Sequence, residues 1–329
     1  MSGGAHYANN CALVTNSSDF SELVGMFRAY VSPVIAIAGI TGNLLIIATF
    51  AREQPRTRFS VFAISLAIAH TVSLIVNTII DDFFGRGLAY ATDGRFFLKF
   101  DATSEAACKL LEFLPRMMYF VASYLVVVFS IDRTLAVYNP IKYHACRYQR
   151  QAIIACLVVV FIGAIGNTPT LVVQTLERQE GGCTACRMVH NETILKDFFI
   201  VSTTLVTFFI PVIAVFALNV VIVLRLWRAH QWRQTAGVSG GAQEVGRITG
   251  HLAMTTCFLL LYIPLGFVVL VRLHYTLHHS EDYTPRATQV INLSKFFSSL
   301  KDIAYAVNCF IYAAFLGNFR ARLVRLCKG

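Results

Sequence analysis

Seven long windows of apolar residues constrain the fold of this chain more than any other feature of its sequence. A helix that crosses a bilayer needs about 20 mostly apolar residues, because the hydrocarbon core is roughly 30 Å thick. The windows are Tyr30–Phe50, Phe59–Ile80, Phe113–Val137, Ala152–Val173, Phe198–Leu224, Leu252–Val271 and Val290–Phe315. The sequence therefore predicts an all-α membrane protein, a bundle of seven transmembrane helices.

A soluble protein and several other classes match this pattern poorly. Helices of soluble proteins carry amphipathic stripes and are mostly shorter, and the apolar share of 56% beside 14% charged residues also favours a bilayer. A transporter would show paired repeats with broken helices. An enzyme would show a nucleophile, phosphate-binding or metal-ligand motif. We find none of these in the sequence, and we predict no enzymatic activity, no cofactor and no metal site.

The distribution of Lys and Arg between the windows predicts how the chain sits in the membrane. Basic residues in short loops resist transfer across a bilayer. With the amino terminus outside, the inner segments carry Arg52, Arg56, Arg58, Lys142, Arg147, Arg150, Arg225, Arg228, Arg233, Arg247, Arg320, Arg322, Arg325 and Lys328, opposed by Glu53 and Glu244. The net charge of +10 thus suggests contact with membrane lipids and a cytosolic protein, not with nucleic acid. We expect a multi-pass plasma membrane protein with an extracellular amino terminus.

Two N-glycosylation acceptors agree with this orientation. Asn16, in Asn16-Ser17-Ser18, lies in the amino-terminal tail, residues 1–29. Asn191, in Asn191-Glu192-Thr193, lies between the fourth and fifth windows. Seven crossings from an outside amino terminus place both acceptors on the side where glycosylation occurs.

Four cysteines on the outer side are candidates for disulfides, because that compartment is oxidising. Cys108 stands at the outer start of the third window, Cys183 and Cys186 lie in the second outer loop, and Cys11 lies in the tail. We favour a bridge from Cys108 to either Cys183 or Cys186, with the remaining loop cysteine pairing with Cys11. The alternative for the two loop cysteines is a zinc or redox pair, but a zinc site would lack its second pair of ligands.

The last residues of the chain predict a helix on the inner membrane surface. Within Phe315–Leu326 the large apolar residues fall near one helical face, and arginines lie between them. We therefore expect the transmembrane bundle to cover residues 30–314, followed by an amphipathic eighth helix and a short cytoplasmic terminus in residues 315–329. Cys327 is a candidate for palmitoylation, with an unmodified thiol as the alternative.

Short motifs occur in a fixed order along the windows. They are Gly42-Asn43, Ser65-Leu66-Ala67-Ile68-Ala69, Asp132-Arg133 with Pro140, Pro211, Phe258 with Pro264, and Asn308-Cys309-Phe310-Ile311-Tyr312 with Phe319. In this order they resemble the motifs of rhodopsin-like (class A) G protein-coupled receptors and cover the whole membrane core. In character the chain is closest to invertebrate neuropeptide receptors for short amidated, FMRFamide-like peptides, because its outer loops are extended and polar.

The resemblance implies a conformational switch at the inner ends of the helices. Such receptors carry a buried Arg on the third helix, here Arg133, which pairs with Asp132 and with an acid on the sixth helix, here Glu244. An agonist favours outward movement of the sixth helix, which separates Arg133 from Glu244 and admits a heterotrimeric G protein. The positions implied for the switch are Asn43, His70, Asp132, Arg133, Glu244, Phe258, Pro264, Asn308 and Tyr312.

One family site is altered in this chain. His70 stands where relatives carry an Asp that binds sodium, and Ala122 and Ala304 stand where polar residues complete that site. A hard cation prefers oxygen ligands, so we expect no sodium site. His70 is then either a core histidine with satisfied hydrogen bonds, which we favour, or a pH sensor.

Charged and aromatic residues near the outer end of the bundle are predicted to share a ligand cavity. They are Glu112, Arg116, Tyr119, Tyr262, Lys301, Asp302 and Tyr305. Charges within a membrane mark a site or pair internally. We expect Glu112 or Asp302 to receive a basic side chain of a peptide while aromatic side chains stack on an aromatic one. The alternative is internal pairing of Glu112 with Arg116 and of Lys301 with Asp302.

The function predicted from these features is that of a receptor for a short neuropeptide that activates heterotrimeric G proteins. An amine ligand is disfavoured, because Pro115 stands where amine receptors carry an Asp. Light detection is disfavoured, because Asp302 stands where opsins carry the retinal-binding Lys. Two alternatives stay open within the family, a chemosensory receptor for small molecules and a non-signalling decoy receptor.

Overall fold

The computed structural model describes residues 19–53, 56–96, 98–139, 143, 149–178, 184–188, 198, 201–236, 242–278 and 285–328. Cys11, Asn16, Cys183 and Asn191 lie outside these residues. The backbone of Glu244 and Cys327 is described, but their side chains lie outside the description. The two glycosylation sites, the palmitoylation and the pairing of Arg133 with Glu244 therefore stay predictions.

Eight helices, α1 to α8, follow one another along the described chain, and some change from the α-helical to the wider π-helical hydrogen-bond pattern. Their segments are Asp19–Met26, Phe27–Val31 (π) and Ser32–Ala51 for α1; Arg58–Ser73, Leu74–Gly87 (π) and Leu88–Ala91 for α2; Glu105–Tyr138 for α3; Gln149–Asn167 and Pro169–Val173 for α4; residues 201–204, Leu205–Phe209 (π) and Ile210–Ala236 for α5; Ala242–His278 for α6; Pro285–Leu300, Ile303–Ala306 and Asn308–Phe315 for α7; and Gly317–Lys328 for α8. A 3₁₀ turn, Phe100–Ala102, precedes α3.

Within the described residues, α1 to α6 are each long and apolar enough to cross a bilayer, and α7 with α8 passes the same test as a bent pair. The chain turns by 105° between α7 and α8, so α8 leaves the seventh crossing sideways. The crossing stretches are Phe20–Ala51, Arg58–Ala91, Glu105–Tyr138, Gln149–Val173, Val201–Arg228, Val245–Tyr275 and Gln289–Phe315. The predicted seven-helix membrane bundle with a short eighth helix is confirmed. Helix α1 starts well before Tyr30, so part of the expected tail is helical.

Two helix starts follow from their capping residues. Thr57 Oγ1 accepts a hydrogen bond from the backbone N–H of Ser60 at 3.2 Å, and Ser104 Oγ accepts one from Ala107 N–H at 3.2 Å. Each side chain satisfies an N–H that has no partner inside its own helix. These caps explain why α2 begins at Arg58 and α3 at Glu105, rather than at the first apolar residue of the predicted windows.

An antiparallel hairpin follows α4, although the sequence predicted no strand. Strand β1, Gln174–Arg178, pairs with β2, Thr184–Met188. The backbone N–H of Leu176 donates to Glu105 Oε2 at 2.9 Å, which holds the hairpin over the first turn of α3. This end of the bundle is the hairpin end, and the opposite end, where α8 lies, is the α8 end.

The disulfide at the hairpin end decides between the alternatives that the sequence left open. Cys108, fully buried at the start of α3, is bonded to Cys186 in β2 and not to Cys183. Spacing along the chain could not make this choice, because Cys183 and Cys186 are separated by only two residues. The register of the hairpin presents Cys186 to Cys108.

Aromatic side chains fill the α8 end of the bundle. Phe50, Phe59, Phe129, Tyr312 and Phe319 come from α1, α2, α3, α7 and α8, and each is at most 3% exposed. Their contacting rings have centroids 5.2 to 6.0 Å apart, which is the range for favourable edge-to-face packing. The cluster therefore joins five helices and seats α8 against the bundle.

Two glycines allow neighbouring helices to approach closely. A Cβ atom at Gly87 would lie 2.5 Å from the carbonyl oxygen of Arg28, and one at Gly246 would lie 2.7 Å from that of Phe315. Helices in lipid associate through such close backbone packing, since lipid tails are as apolar as the side chains. Gly87 thus sets the distance between α1 and α2, and Gly246 that between α6 and the end of α7.

Replacing both Cys108 and Cys186 with Ser is expected to lower the free energy of unfolding by about 2–4 kcal/mol, because the bridge restricts the unfolded chain and holds the hairpin in place. Thermal unfolding of detergent-purified protein measures the loss. Cys257→Ser, which removes a partly buried free thiol, is the matched control. If the double variant melted at the same temperature as that control, the bridge would not stabilise the fold.

Candidate functional site

A cavity of about 800 Å³ opens at the hairpin end between α2, α3, α5, α6 and α7. We refer to it as the main cavity. Its polar lining residues are Asn77, Asp81, Asp101, Glu112, Arg116, Tyr119, Arg187, Thr203, Thr204, Thr207, Arg272, Ser294 and Ser298. Its size suits a small ligand or one end of a longer one. Its charges of both signs suit a ligand that is itself charged and polar.

Glu112 and Arg116 face the main cavity from successive turns of α3. The Arg116 Nη2 atom lies 3.3 Å from Glu112 Oε2, and about a third of each side chain is exposed. The pair is therefore internal and also accessible from the cavity. Tyr119, about one turn further along α3, lines the same cavity. The structure thus brings together these three of the predicted ligand-binding residues.

The remaining predicted ligand-binding residues form a buried layer beneath the main cavity. Lys301 Nζ lies 2.6 Å from Asp302 Oδ1, and Thr78 Oγ1 donates to Asp302 Oδ2 at 2.6 Å. The hydroxyl oxygens of Tyr262 and Tyr305 lie 2.6 Å apart. All four of these predicted residues are at most 1% exposed. None of them belongs to the described lining of the main cavity. This corrects the expectation of one shared cavity: helical periodicity gives the face of a residue but not its depth.

The buried layer touches the cavity wall through Lys301. Its ammonium lies 4.0 Å from the ring centroid of Tyr119 and 4.7 Å from that of Tyr305. A cation over an aromatic face is attracted to the ring, more strongly where water is excluded. Lys301 therefore links the cavity wall to the hydroxyl pair of Tyr262 and Tyr305, which joins α6 to α7.

His70 is buried in the core, where its ring contacts two residues of α7. Its Nδ1 atom lies 2.8 Å from Asn308 Nδ2, and its ring stacks on Tyr305 with the centroids 4.5 Å apart. The amide of Asn43 donates to the carbonyl oxygen of Tyr305 at 3.1 Å. This geometry fits a core histidine with a satisfied ring nitrogen. The altered family position therefore connects α2 to α7, and Asn43 connects α1 to the same part of α7.

Arg133 is buried at the α8 end, where its polar contacts include Asp132 and Tyr143. Its Nη2 atom lies 2.6 Å from Asp132 Oδ2 and donates to the hydroxyl of Tyr143 at 2.5 Å. The Tyr143 hydroxyl in turn donates to Asp132 at 2.8 Å, and Arg58 lies 2.8 Å from the other Asp132 oxygen. Burial raises the pKa of the Tyr143 hydroxyl, so it stays protonated and keeps donating. Sequence reasoning found the Asp132–Arg133 pair but not Arg58 or Tyr143.

Glu53 connects three elements at the α8 end. Its Oε1 atom lies 3.6 Å from Arg247 of α6 and 3.2 Å from Arg322 of α8, and its Oε2 accepts a hydrogen bond from Ser60 of α2. Glu53 is 5% exposed. Sequence reasoning counted Glu53 only as an exception to the basic charge of this side. Its isolation among arginines was the signal that could have identified it.

Contacts between α6 and its neighbours surround the predicted switch positions. Phe258 stacks on Tyr262 with the centroids 4.0 Å apart, and the Tyr312 hydroxyl contacts Met254 Sδ at 3.7 Å. His251 Nε2 lies 3.0 Å from Ser130 Oγ and joins α6 to α3. Pro264 lies inside α6, where it removes one backbone hydrogen bond and allows a bend. A rotation of α6 would change the contacts of Met254 and His251 with the neighbouring helices together, whereas the stack of Phe258 on Tyr262 lies within α6 and would move with it.

A second ionic cluster at the hairpin end was missed by sequence reasoning. Arg28 of α1 pairs with Asp82 of α2 at 3.0 Å, and Ser299 of α7 accepts from Arg28 at 3.2 Å and donates to Asp82 at 2.6 Å. The predicted windows stopped before these charges, which left Arg28 in the tail and Asp82 in a loop. Continuing the helical period past the window ends would have placed them inside the bundle.

The described residues contain one group whose spacing resembles a metal site. Ligand atoms of Asp101, Glu112 and Cys186 lie within 4.8 Å of one another. The Cys186 sulfur is bonded to Cys108 and cannot act as a thiolate ligand. The two remaining groups are the carboxylates of Asp101 and Glu112, and Glu112 is paired with Arg116. These two carboxylates would bind a cation only weakly.

Comparisons with known proteins agree with this architecture. The profile of the family "7 transmembrane receptor (rhodopsin family)" matches residues 42–312. The chain is 22% identical over 298 residues to melanin-concentrating hormone receptor 2 of Homo sapiens, which covers 89% of this chain and 82% of that protein. It is 23% identical to the B1 bradykinin receptor of Macaca mulatta over 98% of this chain and 88% of that protein. It is 24% identical to the type-1 angiotensin II receptor of Gallus gallus over 90% and 79%, respectively.

Replacing Asp302 with Asn is expected to destabilise the protein, because the Lys301 ammonium would stay buried without its carboxylate. Removing one member of a buried pair costs about 3–5 kcal/mol, whereas replacing both members often costs little. The double variant Lys301→Met with Asp302→Asn is therefore expected to recover most of the stability. Thermal unfolding in detergent measures both, with Asp93→Asn at an exposed turn as the control. A double variant no more stable than the single one would contradict the pairing.

Proposed function

Because the chain belongs to the rhodopsin family of seven-transmembrane receptors, we propose that it binds an extracellular peptide and in response activates a heterotrimeric G protein. It is a multi-pass receptor of the plasma membrane and not an enzyme. In the proposed orientation the amino terminus and the hairpin end are extracellular, and the α8 end faces the cytoplasm. The basic residues of the α8 end support this orientation, since such residues remain on the inner side.

The main cavity is the observation that carries the proposal of a peptide ligand. It measures about 800 Å³ and is lined by acidic, basic and aromatic side chains beside the hairpin. This mixture suits a peptide, which presents charged groups of both signs together with apolar side chains. The names of the three relatives are those of receptors for the peptides melanin-concentrating hormone, bradykinin and angiotensin II.

Glu112, Arg116 and Tyr119 are the proposed ligand contacts, because all three line the main cavity. A basic ligand side chain would compete with Arg116 for Glu112, whose carboxylate is partly exposed to the cavity. Displacement of the Tyr119 ring would disturb its contact with the ammonium of Lys301, which lies over that ring. The proposed role of Lys301, Asp302, Tyr262 and Tyr305 is therefore to transmit ligand binding to α6, rather than to touch the ligand.

The α8 end provides the proposed switch. Arg133 is held by Asp132, while Glu53 holds Arg247 of α6 and Arg322 of α8. Outward movement of α6 would separate Arg247 from Glu53 and open space for a G protein helix. An agonist shifts this equilibrium only to the extent that it binds the open state more tightly. The predicted pairing of Arg133 with Glu244 would add to the same closed state.

The alternatives within the family have weaker support. A decoy receptor has no need of the switch residues Arg133 and Tyr312, yet both are present and each is 1% exposed. The size of the main cavity also suits a small molecule, but its charges of both signs favour a peptide over an apolar chemosensory ligand. Amidation of the peptide, extracellular glycosylation at Asn16 and Asn191, and palmitoylation of Cys327 are further proposals that rest on the sequence alone.

A second-messenger screen in cells that express the receptor tests the proposed function. Short peptides with free and with amidated carboxyl termini are expected to include an agonist whose response is lost in Arg133→Ala at equal surface expression, because Arg133 belongs to the proposed switch at the α8 end. Glu112→Gln is expected to reduce the potency of a basic agonist by about tenfold, the effect of one charge-assisted hydrogen bond. Peptides that act equally on Arg133→Ala would contradict G protein signalling by this chain.

Glu53→Gln is expected to raise ligand-independent signalling several-fold, because it weakens the contacts that hold α6 and α8 in the closed state. Coupling of this kind is typically worth about 1–3 kcal/mol. Arg322→Gln removes one partner and is expected to act in the same direction, whereas Arg325→Gln on the exposed face of α8 is the matched control. Basal second-messenger levels at equal surface expression are the measurement. Reduced basal signalling in Glu53→Gln would contradict this role.

A further inference from the structure

A smaller recess adjoins the main cavity and extends from it between α1, α2 and α7. Its volume is about 140 Å³. Asp81, Tyr119, Arg272 and Ser294 line both the recess and the main cavity, so the two spaces are continuous. One part of a ligand in the main cavity can therefore enter the recess.

Basic side chains outnumber acidic ones on the described wall of the recess. The basic ones are Arg28, Arg86, Arg272 and Lys295, and the acidic ones are Asp81 and Asp82. Positive charge inside a transmembrane bundle is costly unless an anion balances it. The recess is consequently electropositive, whereas the described wall of the main cavity carries acids and bases in equal number.

Both acids of the recess are already engaged by arginines. Asp82 pairs with Arg28 at 3.0 Å and accepts a hydrogen bond from Ser299, and it is 6% exposed. Asp81 Oδ1 lies 3.4 Å from Arg86 Nη2. Because these arginines largely neutralise the two carboxylates, Asp81 and Asp82 provide little negative charge to balance Lys295 or Arg272.

Lys295 is the residue that points most directly to a ligand. It is half-buried on the recess wall, and the described residues place no carboxylate within ion-pair distance of its ammonium. Arg272 of α6 lines the same recess and donates to Ser294 at 3.2 Å. A cation from α7 and one from α6 thus converge on a small polar space that opens to the ligand cavity.

We propose that the recess binds a carboxylate of the ligand, with Lys295 and Arg272 as its charge partners. This inference rests on the proposed receptor function and deepens it by stating the chemistry of the ligand. We propose a carboxylate and not a phosphate, because a carboxylate is the acidic group that an unmodified peptide carries. It also matches the planar guanidinium of Arg272, which can donate two parallel hydrogen bonds.

The proposal implies a ligand with two charged groups of opposite sign. A basic group would lie at Glu112 in the main cavity, and the carboxylate would lie in the recess beside α7. The carboxylate can come from a free peptide carboxyl terminus or from an acidic side chain. Because Arg272 belongs to α6 and Lys295 to α7, a bound carboxylate would also draw these two helices together at the hairpin end.

Binding of small carboxylate probes to purified receptor in detergent, without a G protein, tests the proposal. The probes are N-acetyl-Phe-Phe with a free carboxyl terminus, its carboxyl-terminal amide, and N-acetyl-Phe-Asp-amide with an acidic side chain. Thermal stabilisation is followed up to roughly 10 mM, where a ligand with a dissociation constant near 1 mM still raises the melting temperature. We expect at least one carboxylate probe to stabilise the receptor and the Phe-Phe amide not to.

Matched variants locate the site. Lys295→Gln and Arg272→Gln are each expected to weaken the stabilising probe about tenfold or more, the loss of a charge-assisted contact. Lys295→Arg retains the charge and is expected to retain binding, which separates loss of the contact from loss of folding. Lys109→Gln at the exposed start of α3, where Lys109 pairs with Glu105, is expected to leave binding unchanged.

Stabilisation by the free carboxyl terminus or by the Asp probe supports the proposal and identifies the source of the carboxylate. Equal stabilisation by the acid and amide of Phe-Phe, undiminished binding in both Gln variants, or no response to either carboxylate would overturn it. Because the assay contains no G protein, these outcomes are independent of signalling. A receptor that signals to peptides yet ignores carboxylates would refute this inference and leave the proposed function standing.

Discussion

Hydrocarbon does not solvate charge, and the rest of this structure depends on that constraint. An ionised side chain inside the bundle has to meet a partner within the protein or face a polar cavity. The buried pairs within the described residues include Arg28–Asp82, Lys301–Asp302 and Asp132–Arg133. Several of their contacts cross between helices, so they determine how α1, α2 and α7 are rotated against one another as well as where charge can lie.

The depth of each charged residue separates the proposed ligand contacts from the residues proposed to transmit ligand binding. Glu112 is about one third exposed at the main cavity, whereas Asp302 is closed off by Lys301 and Thr78. A carboxylate with both oxygens occupied offers little to a ligand, but it holds Lys301 against the ring of Tyr119. Lys301 also contacts the ring of Tyr305, whose hydroxyl is hydrogen-bonded to that of Tyr262 in α6. In the proposed receptor, these packed groups would connect a ligand at the cavity wall to α6.

Much of the fold could be predicted from the sequence, because crossing a bilayer is a local requirement. Each window needed only its own apolar length, and the amphipathic α8 needed only its own pattern. The boundaries were less predictable. Arg28 and Asp82 lie inside the bundle because they neutralise each other across two helices. No local property of either segment predicts that pairing. The β1–β2 hairpin was missed for the same reason, since its attachment to α3 stabilises it.

The sequence by itself determined the class of the protein: seven apolar windows, a basic side, Cys108 near the start of the third window, and Asp132-Arg133 at its end. These features follow from residue types and their spacing along one helix. Only the tertiary structure decided which groups meet. It selected Cys186 as the partner of Cys108 and placed Lys295 on the recess wall. Pairing between helices depends on depth and rotation in three dimensions, which spacing along the chain does not encode.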